Sequence, residues 1–300
     1  MLNLDFFEDV ELELTTLCNA KCPLCYRNSI YFDKHYPKHI IRPLYKIIEQ
    51  LDQFKNIKYI RLVGSISEPT LYKDLFKLIE YLNSRNIFIE LCTNGDTHNE
   101  DYWRELGKIL KDTDRVYFTI CGSTQELHET YRKGTSLKNI LRNAKALRES
   151  KPIDYCQCIR FNYNDNDLNS NTFLKMISDF SHKYFTETFL FKDPKLYKTK
   201  IAEEKLKPAP EKLKKYMKCL ELAENAIEHS KCYCQAYINK WCQIDIYGNI
   251  YPCYFFLEES QGKLWNGNWK EILNGKYHRC RFCKTYIRKY INENDLSYII

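Results

Sequence analysis

No apolar run in this chain approaches the roughly 18 residues that a membrane-spanning helix needs. Its first residues, MLNLDFFEDVELEL, are acidic where a secretory signal carries a basic segment, so they are not a signal peptide. Together these absences predict a soluble, cytoplasmic protein. There is no internal repeat and no low-complexity tract, which leaves an ordinary globular fold. Without a secretion signal, the fourteen cysteines are not the framework of a disulfide scaffold. In a reducing compartment their uses are metal ligation, catalysis and burial as plain thiols. The formal net charge of +7 counts every cysteine as neutral, and lysine is spread along the chain as on a solvated surface. That gives weak grounds for a nucleic-acid partner.

A length of 300 residues suits one large domain, or one domain with a small appendage. A hydrophobic share of 44% supplies a sizeable core. From about 10 to 192, short apolar segments alternate with longer amphipathic ones. The strand candidates are VELELTT (10–16), IKYIRLV (57–63), NIFIELC (86–92), RVYFTIC (115–121), IDYCQCIRF (153–161) and YFTETFLF (184–191). Helical patterns occupy 40–54, 71–84, 100–110, 137–149 and 168–182. This alternation implies an α/β fold with parallel strands and right-handed crossovers. Six units predict a partial (β/α)6, TIM-like barrel with reactive groups at the C-terminal ends of its strands.

Period-two alternation distinguishes the faces. Val10, Leu12 and Leu14 oppose Glu11, Glu13 and Thr15; Ile87, Ile89 and Leu91 oppose Phe88, Glu90 and Cys92. Tyr155, Gln157, Ile159 and Phe161 oppose Cys156, Cys158, Arg160 and Asn162. A closed barrel fills its interior with branched apolar side chains, so polar groups on one face of several strands point to an open, wet interior. Glu13, Glu90 and Arg160 are expected to face substrate or cofactor there, the alternative being solvent at strand ends.

The charged, proline-containing stretch 192–210 reads as a connection, and 211–228 as an amphipathic helix with Leu213, Tyr216, Met217, Leu220, Ala223 and Ile227 on one face. The remainder is rich in cysteine and aromatic residues and too small for a large core, so metal can stabilise it. The expected organisation is a barrel over 1–195, a connection and helix over 196–228, and a small cysteine-rich α+β module over 229–300.

Cys18, Cys22 and Cys25 form a C-x3-C-x2-C run in ELTTLCNAKCPLCYR, at the end of the first strand. Taken alone, the run suits zinc or an iron–sulfur cluster. Three thiolates can hold three irons of a 4Fe-4S cluster and leave the fourth open to bind and reduce a substrate, which a fully ligated cluster does not do easily. In this position the run resembles the signature of the radical S-adenosylmethionine (SAM) family. The resemblance implies that these three cysteines bind the cluster and that the amino and carboxylate groups of SAM chelate the fourth iron. It places Leu24, the residue before the last cysteine, near the adenine, and Tyr26 is a further cofactor-binding candidate; plain packing is the alternative for both.

Later segments follow the family order. LVGSISEPTL closes the second strand with Gly64, Glu68 and Pro69, where the family has two adjacent glycines and Glu-Pro that bind the SAM amino group. Ser65, Ile66 and Ser67 depart from that pattern, and their side chains restrict the backbone approach that glycine permits. Glu68 either accepts a hydrogen bond from the SAM ammonium or opens the following helix. LCTNG ends the third strand with Thr93, Asn94 and Gly95, which resemble the family's Thr-Asn-Gly; alone, they read as a turn. In FTICGSTQELHETYRKG, Thr119 and Arg132 match positions that contact SAM in the family, and Asn162, in RFNYN, resembles another. Cys121 stands where the family often has aspartate. It is either a hydrogen-atom donor near the expected radical or a small buried thiol.

The C-terminal part contains CYCQAYINKWCQIDIYGNIYPC and then CRFC. Thirteen residues separate Cys234 from Gly248, and four separate Gly248 from Cys253. With GKLWNGNWKEILNGKYHRC, this resembles the SPASM and twitch modules that append auxiliary 4Fe-4S clusters to radical SAM barrels. The resemblance implies one auxiliary cluster on Cys234, Cys253, Cys280 and Cys283, twitch-like because no cysteine follows Cys283. Cys232 or Cys242 can replace Cys234, although Cys242 has the wrong spacing to Gly248, and zinc suits four thiolates equally. With both clusters the net charge falls to about +4. Cys92, Cys156, Cys158 and Cys219 belong to no motif and read as buried thiols.

The resemblance implies an oxidoreductase or maturase. A flavodoxin- or ferredoxin-like donor reduces the first cluster. SAM is cleaved to methionine and a 5′-deoxyadenosyl radical, which abstracts hydrogen from a substrate C–H bond oriented by the barrel. The auxiliary cluster accepts an electron, binds substrate or only braces its module. The expected substrate is a peptide or protein undergoing oxidation, cross-linking or epimerisation. The alternative is a small-molecule dehydrogenase or epimerase acting on a sugar or aminocyclitol. The chain starts almost at the first barrel strand, which leaves no room for an N-terminal peptide-recognition domain; a separate recognition protein can serve. A reading from another class, a non-catalytic metal-binding or electron-transfer protein, predicts fully ligated metals and no SAM binding.

Overall fold

A computed structural model describes residues 4–28, 39–150, 154–187, 206 and 240–251. The expected helix over 211–228, and Cys219, Cys232, Cys234, Cys253, Cys280 and Cys283, lie outside the described residues. The strands are β1 (Asp9–Leu12), β2 (Tyr59–Leu62), β3 (Phe88–Thr93), β4 (Arg115–Thr119), β5 (Asp154–Arg160), β6 (His182–Glu187), β7 (Trp241–Ile244) and β8 (Ile250–Tyr251). The helices are α1 (Leu44–Leu51), α2 (Leu75–Ser84), α3 (Glu100–Ile109), α4 (Gln125–Tyr131), α5 (Leu137–Arg148), α6 (Asp165–Leu168) and α7 (Asn171–Met176). Consecutive strands from β1 to β6 pair in parallel, as helical crossovers require. The result is an open partial barrel with strand order β6-β5-β4-β3-β2-β1-β7-β8. Among the described residues no helix is long and apolar enough to cross a membrane.

Two elements differ from the sequence expectation. Residues 241–244 were expected within the appended module, yet β7 adds in parallel to the edge of β1, setting Val10 against Cys242 and Leu12 against Ile244. Helix α4 was not expected. Its start is fixed by Thr124, whose hydroxyl accepts from the Leu127 N–H at 3.2 Å, an ordinary N-cap.

The core lies between the sheet and the helices. Val10, Leu12, Ile60, Leu62, Ile89, Leu91, Val116 and Phe118 point from the strands toward Ile47 and Leu51 of α1, Leu78 and Leu82 of α2, Trp103 and Leu106 of α3, and Ile140 and Leu147 of α5. Each fully buried side chain of this kind contributes about 1.5–3 kcal/mol. Trp103 is buried whole, and its Nε1 donates to the Thr97 carbonyl at 2.9 Å, so its one polar atom is satisfied.

The opposite face of the sheet is polar. Arg61 grips Asp9 through Nε (3.0 Å) and Nη2 (2.8 Å) and lies 3.9 Å from Glu90. The Tyr117 and Tyr155 rings stack with centroids 4.4 Å apart. This face is the lumen, below the C-terminal rim where the cysteine loop begins.

Candidate functional site

The cysteine loop leaves β1 through two buried threonines. The Thr15 hydroxyl donates to the Ile40 carbonyl (2.8 Å) and accepts from the Leu17 N–H (3.1 Å), while the Ile40 N–H donates to Thr16 Oγ1 (2.9 Å). Beyond this anchor come Cys18, Cys22 and Cys25, in no disulfide among the described residues. The Cys25 N–H donates to the Cys22 carbonyl at 3.1 Å, and Asn28 Nδ2 donates to the same oxygen at 2.6 Å, so this stretch is a compact turn. Cys22 and Leu24 are buried with Cys121, Tyr131, Phe161 and Leu206, and Cys18 and Cys25 lie at the edge of this group. Leu24 is thus part of this buried apolar cluster. Tyr26 begins the 3-10 turn Tyr26–Asn28.

Burial dominates the electrostatics at Cys18 and Cys22 and favours the protonated thiol while no cation is bound. Burial, then the nearby Glu68 charge, push Cys18 up to about 12, and burial raises Cys22 against the pull of Arg132. Such thiols become thiolates when a cation replaces the proton. Arg132 Nη1 donates to Cys22 Sγ at 3.7 Å. Burial works against the Arg132 charge, but Cys22, Cys121 and Tyr131 more than offset it and hold the guanidinium protonated. Among the described residues Arg132 Nε is shut off from solvent and has no hydrogen-bond partner of good geometry, although the guanidinium also lies against the Cys121 side chain. A buried donor of this kind fits an anionic group, such as a cluster sulfide or the SAM carboxylate. Among the described residues no three His, Cys, Asp or Glu side chains converge on a single-ion site. A 4Fe-4S cube takes one thiolate per iron and needs no such point.

Glu68 ties the second and third rim segments together. Its Oε1 accepts from the Thr70 N–H (3.3 Å), Thr70 Oγ1 (2.7 Å) and Thr93 Oγ1 (2.6 Å), and its Oε2 accepts from the Asn94 N–H (2.7 Å). The carboxylate is therefore chiefly a structural knot and the cap of the 3-10 turn Pro69–Leu71. Asn94 Nδ2 donates to Asn19 Oδ1 at 2.7 Å, which joins the Thr-Asn-Gly turn to the cysteine loop. Gly95 has φ of 75°, and a Cβ there would lie 2.6 Å from Phe118 Cδ1. The third residue of that motif is glycine for this steric reason.

The segment Gly64–Ser67 is held from below by the lumen face of β1 and its extension. Ser65 Oγ donates to Glu11 Oε1 (2.8 Å); the Ile66 N–H and Ser67 Oγ donate to Glu13 Oε1 (3.3 Å) and Oε2 (3.1 Å). Burial, then the neighbouring Glu13 charge, push Glu11 up to about 8, and burial pushes Glu13 up to about 7. Glu13 therefore faces the rim loop and not open solvent.

The other expected site residues divide. Thr119 is buried on the lumen face, its hydroxyl 3.5 Å from Gln157 Oε1. Cys121 is fully buried, and its N–H donates to His128 Nδ1 at 3.2 Å. Burial pushes His128 down to about 3, so it is neutral, and its Nε2 meets Thr135 Oγ1 at 2.9 Å. Glu90 lies in the lumen with its pKa raised by burial against the pull of Arg61.

Three residues fall elsewhere. Arg160 shares the helix-covered face with Cys156 and Cys158, and its Nη1 pairs with Asp165 of α6 at 2.8 Å. It does not line the lumen; Gln157 and Ile159 take that side. Asn162 is exposed, and the buried asparagine of that turn is Asn164, whose Nδ2 donates to the Cys121 carbonyl at 3.0 Å. Cys242 is buried in the core beside β1 and is not placed as a cluster ligand. The sequence reading missed Asn19, Glu11, His128, Asn164 and Gln243. Glu11 shares the acidic face with Glu13, and Asn19 lies inside the cysteine run, so both carried a local signal; the other three did not.

Residues 12–190 match the family model described as Radical SAM superfamily. The chain belongs to the radical SAM superfamily. Its curated relatives include a GTP 3′,8-cyclase from Staphylococcus epidermidis, 27% identical over 197 residues that cover 61% of this chain and 53% of that protein. A cysteine-type anaerobic sulfatase-maturating enzyme from Clostridium novyi is 32% identical over 99 residues, 29% of this chain and 25% of that protein. The chain spans about half the length of the GTP cyclase relative. Among solved structures, Streptococcus suis SuiB bound to precursor peptide SuiA superposes with a TM-score of 0.60 at 14% identity, covering 97% of this chain and 69% of that one. The structure of anSMEcpe with bound AdoMet and Kp18Cys peptide gives a TM-score of 0.58 at 16% identity, covering 93% and 87%. These structural likenesses establish the shared radical SAM fold.

Proposed function

We propose that this radical SAM chain binds a 4Fe-4S cluster and SAM at Cys18, Cys22 and Cys25 and modifies a peptide or protein by oxidation, cross-linking or epimerisation. The observation that carries the reading is a loop of three cysteine thiols, with Arg132 against Cys22 and its buried Nε without a hydrogen-bond partner among the described residues, on the rim of an open parallel barrel. When bound, the cluster and SAM supply a 5′-deoxyadenosyl radical. The chain's own residues do the rest. Leu24, Tyr131 and Phe161 form an apolar wall that keeps water from the reacting centre. Arg132 offers a fixed positive charge beside Cys22, and the Glu68 knot fixes the rim segments in register. Cys121, in the same apolar cluster, is the candidate hydrogen-atom donor, and Glu90, a lumen carboxyl group beside Arg61, is the candidate substrate contact.

A peptide or protein substrate is supported by the relatives: a sulfatase-maturating enzyme and a mycofactocin maturase among curated proteins, and SuiB with its precursor peptide among structures. Similarity to a GTP 3′,8-cyclase favours a small-molecule substrate as the second reading. An auxiliary 4Fe-4S cluster on Cys234, Cys253, Cys280 and Cys283 belongs to the same proposal; iron analysis of roughly eight rather than four per chain checks it. For the substrate, reconstituted protein receives SAM, a flavodoxin- or ferredoxin-like donor and any short peptides found encoded beside its gene. One peptide is expected to change mass. Turnover of small metabolites with every peptide unchanged would replace the peptide reading with the second one.

A further inference from the structure

We propose that Glu11, Glu13 and Gln243 are positioning residues for SAM, holding the Gly64–Ser67 loop against the cysteine loop as a carboxyl clamp. The inference rests on the reading that SAM binds beside Cys18, Cys22 and Cys25. Gly64, with φ of 61°, begins a tight turn closed by the Ser67 N–H on the Gly64 carbonyl at 3.3 Å. A Cβ on Gly64 would come within 2.5 Å of the Ser67 carbonyl oxygen, so the turn has little latitude.

The loop is gripped from the lumen side at three consecutive residues. Glu11 takes the Ser65 hydroxyl, and Glu13 takes both the Ile66 N–H and the Ser67 hydroxyl. Gln243 of β7 completes the grip, its Nε2 donating to the same Glu11 oxygen at 3.1 Å. Glu11, Glu13 and Gln243 are 0%, 2% and 1% exposed. Carboxyl groups buried this deeply in strands need donors, and two hydroxyls, one backbone N–H and one amide from the far end of the chain supply them. On its other side the loop meets the cysteine loop. The Ser65 carbonyl lies 3.9 Å from Cys25 Sγ, and the Ile66 carbonyl accepts from Arg27 Nη1 at 3.2 Å. These two carbonyls wall the volume next to Cys25, and the clamp sets where they stand. The clamped segment is the one that resembles the family stretch binding the SAM amino group, so the clamp holds that part of the site in place against the cysteine loop. Serines gripped from below thus do the positioning here that a glycine-only turn leaves to the backbone.

The test uses the full chain, anaerobically loaded with iron and sulfide. It reads SAM affinity and the electron paramagnetic resonance spectrum of the reduced cluster with and without SAM. Glu13→Ala is expected to retain its iron, to bind SAM about tenfold more weakly, since it removes the acceptor of both the Ile66 N–H and the Ser67 hydroxyl, and to show a smaller SAM-dependent spectral change. Glu13→Gln, which can still accept from Ile66 and pair with Ser67, is expected to recover most of the affinity. Ser67→Ala and Gln243→Ala, each removing one link, are expected to weaken binding about threefold, and they decide the matter if Glu13→Ala does not fold. Native affinity and spectrum in the variants that fold would overturn the clamp, as would a Gln variant no better than Ala. If the native protein fills with iron and binds no SAM, the SAM reading falls and takes the clamp with it. The two failures are thereby distinguishable.

Discussion

Replacing Glu68 with Gln tests whether the rim is knotted as the geometry indicates. If the Gln oxygen takes the place of Oε1, it keeps the three donors there: the Thr70 N–H, Thr70 Oγ1 and Thr93 Oγ1. The amide nitrogen then faces the Asn94 N–H, a donor against a donor at a site now spaced 2.7 Å. Asn94 is buried, and its N–H cannot rotate away as a hydroxyl can. A charge-assisted bond is lost and a buried N–H is left unpaired, each costing about 1–3 kcal/mol. The reverse orientation is worse, since three donors lose their acceptor. Relief of a buried charge opposes this, because burial raises the Glu68 pKa against its hydrogen bonds. The net expectation is a loss of about 2–3 kcal/mol, a fall of roughly 1 M in the urea midpoint for an m-value of about 2–3 kcal/mol/M. Urea titration followed by tryptophan fluorescence, on anaerobic loaded protein, measures it. A midpoint within about 0.2 M of native would refute the reasoning, because a carboxyl group bound by four donors cannot be exchanged for an amide at that cost.

Three further outcomes are expected. The raised pKa values of Glu11 (about 8) and Glu13 (about 7), against an ordinary 4.5, mean that the folded chain holds protons the unfolded chain has released. Their stabilising contribution is full below about pH 4.5 and is lost as pH rises through 7 and 8. Urea stability should therefore fall between about pH 5 and pH 8, and the Glu11→Gln, Glu13→Gln double variant should flatten the decline; a flat native profile contradicts this. Gly95→Ala should cost about 2–4 kcal/mol, from a left-handed residue and a Cβ forced onto Phe118, and a urea midpoint unchanged from native would show that the Thr-Asn-Gly turn relaxes freely. Cys242→Ala should leave iron content unchanged and lower stability by about 1–2 kcal/mol, since the thiol packs in the core beside Val10; a loss of iron would return Cys242 to the ligand set.

The sequence alone made much of this legible where one local pattern determined the outcome. The alternation of apolar segments located β1 through β6 and most helices between them, because a parallel sheet must bury one strand face under its crossovers. The cysteine run, Glu68-Pro69 and Thr93-Asn94-Gly95 lie at strand ends, as expected. Period-two alternation showed which residues share a face but not which face is covered. Arg160 was read into the lumen for that reason, whereas the packing of Cys156 and Cys158 under the helices carries it to Asp165. At the turn after β5, Asn162 and Asn164 are indistinguishable by composition, and only the chain direction buries the second. The pairing of β7 with β1 joins Gln243 to Glu11 across 232 positions, a contact that no local window can contain. The serines after Gly64 depart from the family pattern in sequence, and the structure gives them partners, Glu11 and Glu13, that lie more than fifty positions away.

The most direct test of the central claim is formation of 5′-deoxyadenosine by anaerobically reconstituted protein given SAM and dithionite, measured beside Cys22→Ala. Slow production by the native chain and none by the variant is the predicted result. It would place SAM cleavage at the cluster held by Cys18, Cys22 and Cys25. No 5′-deoxyadenosine from native protein that holds its iron, binds SAM and has been offered the peptides encoded beside its gene would contradict the account.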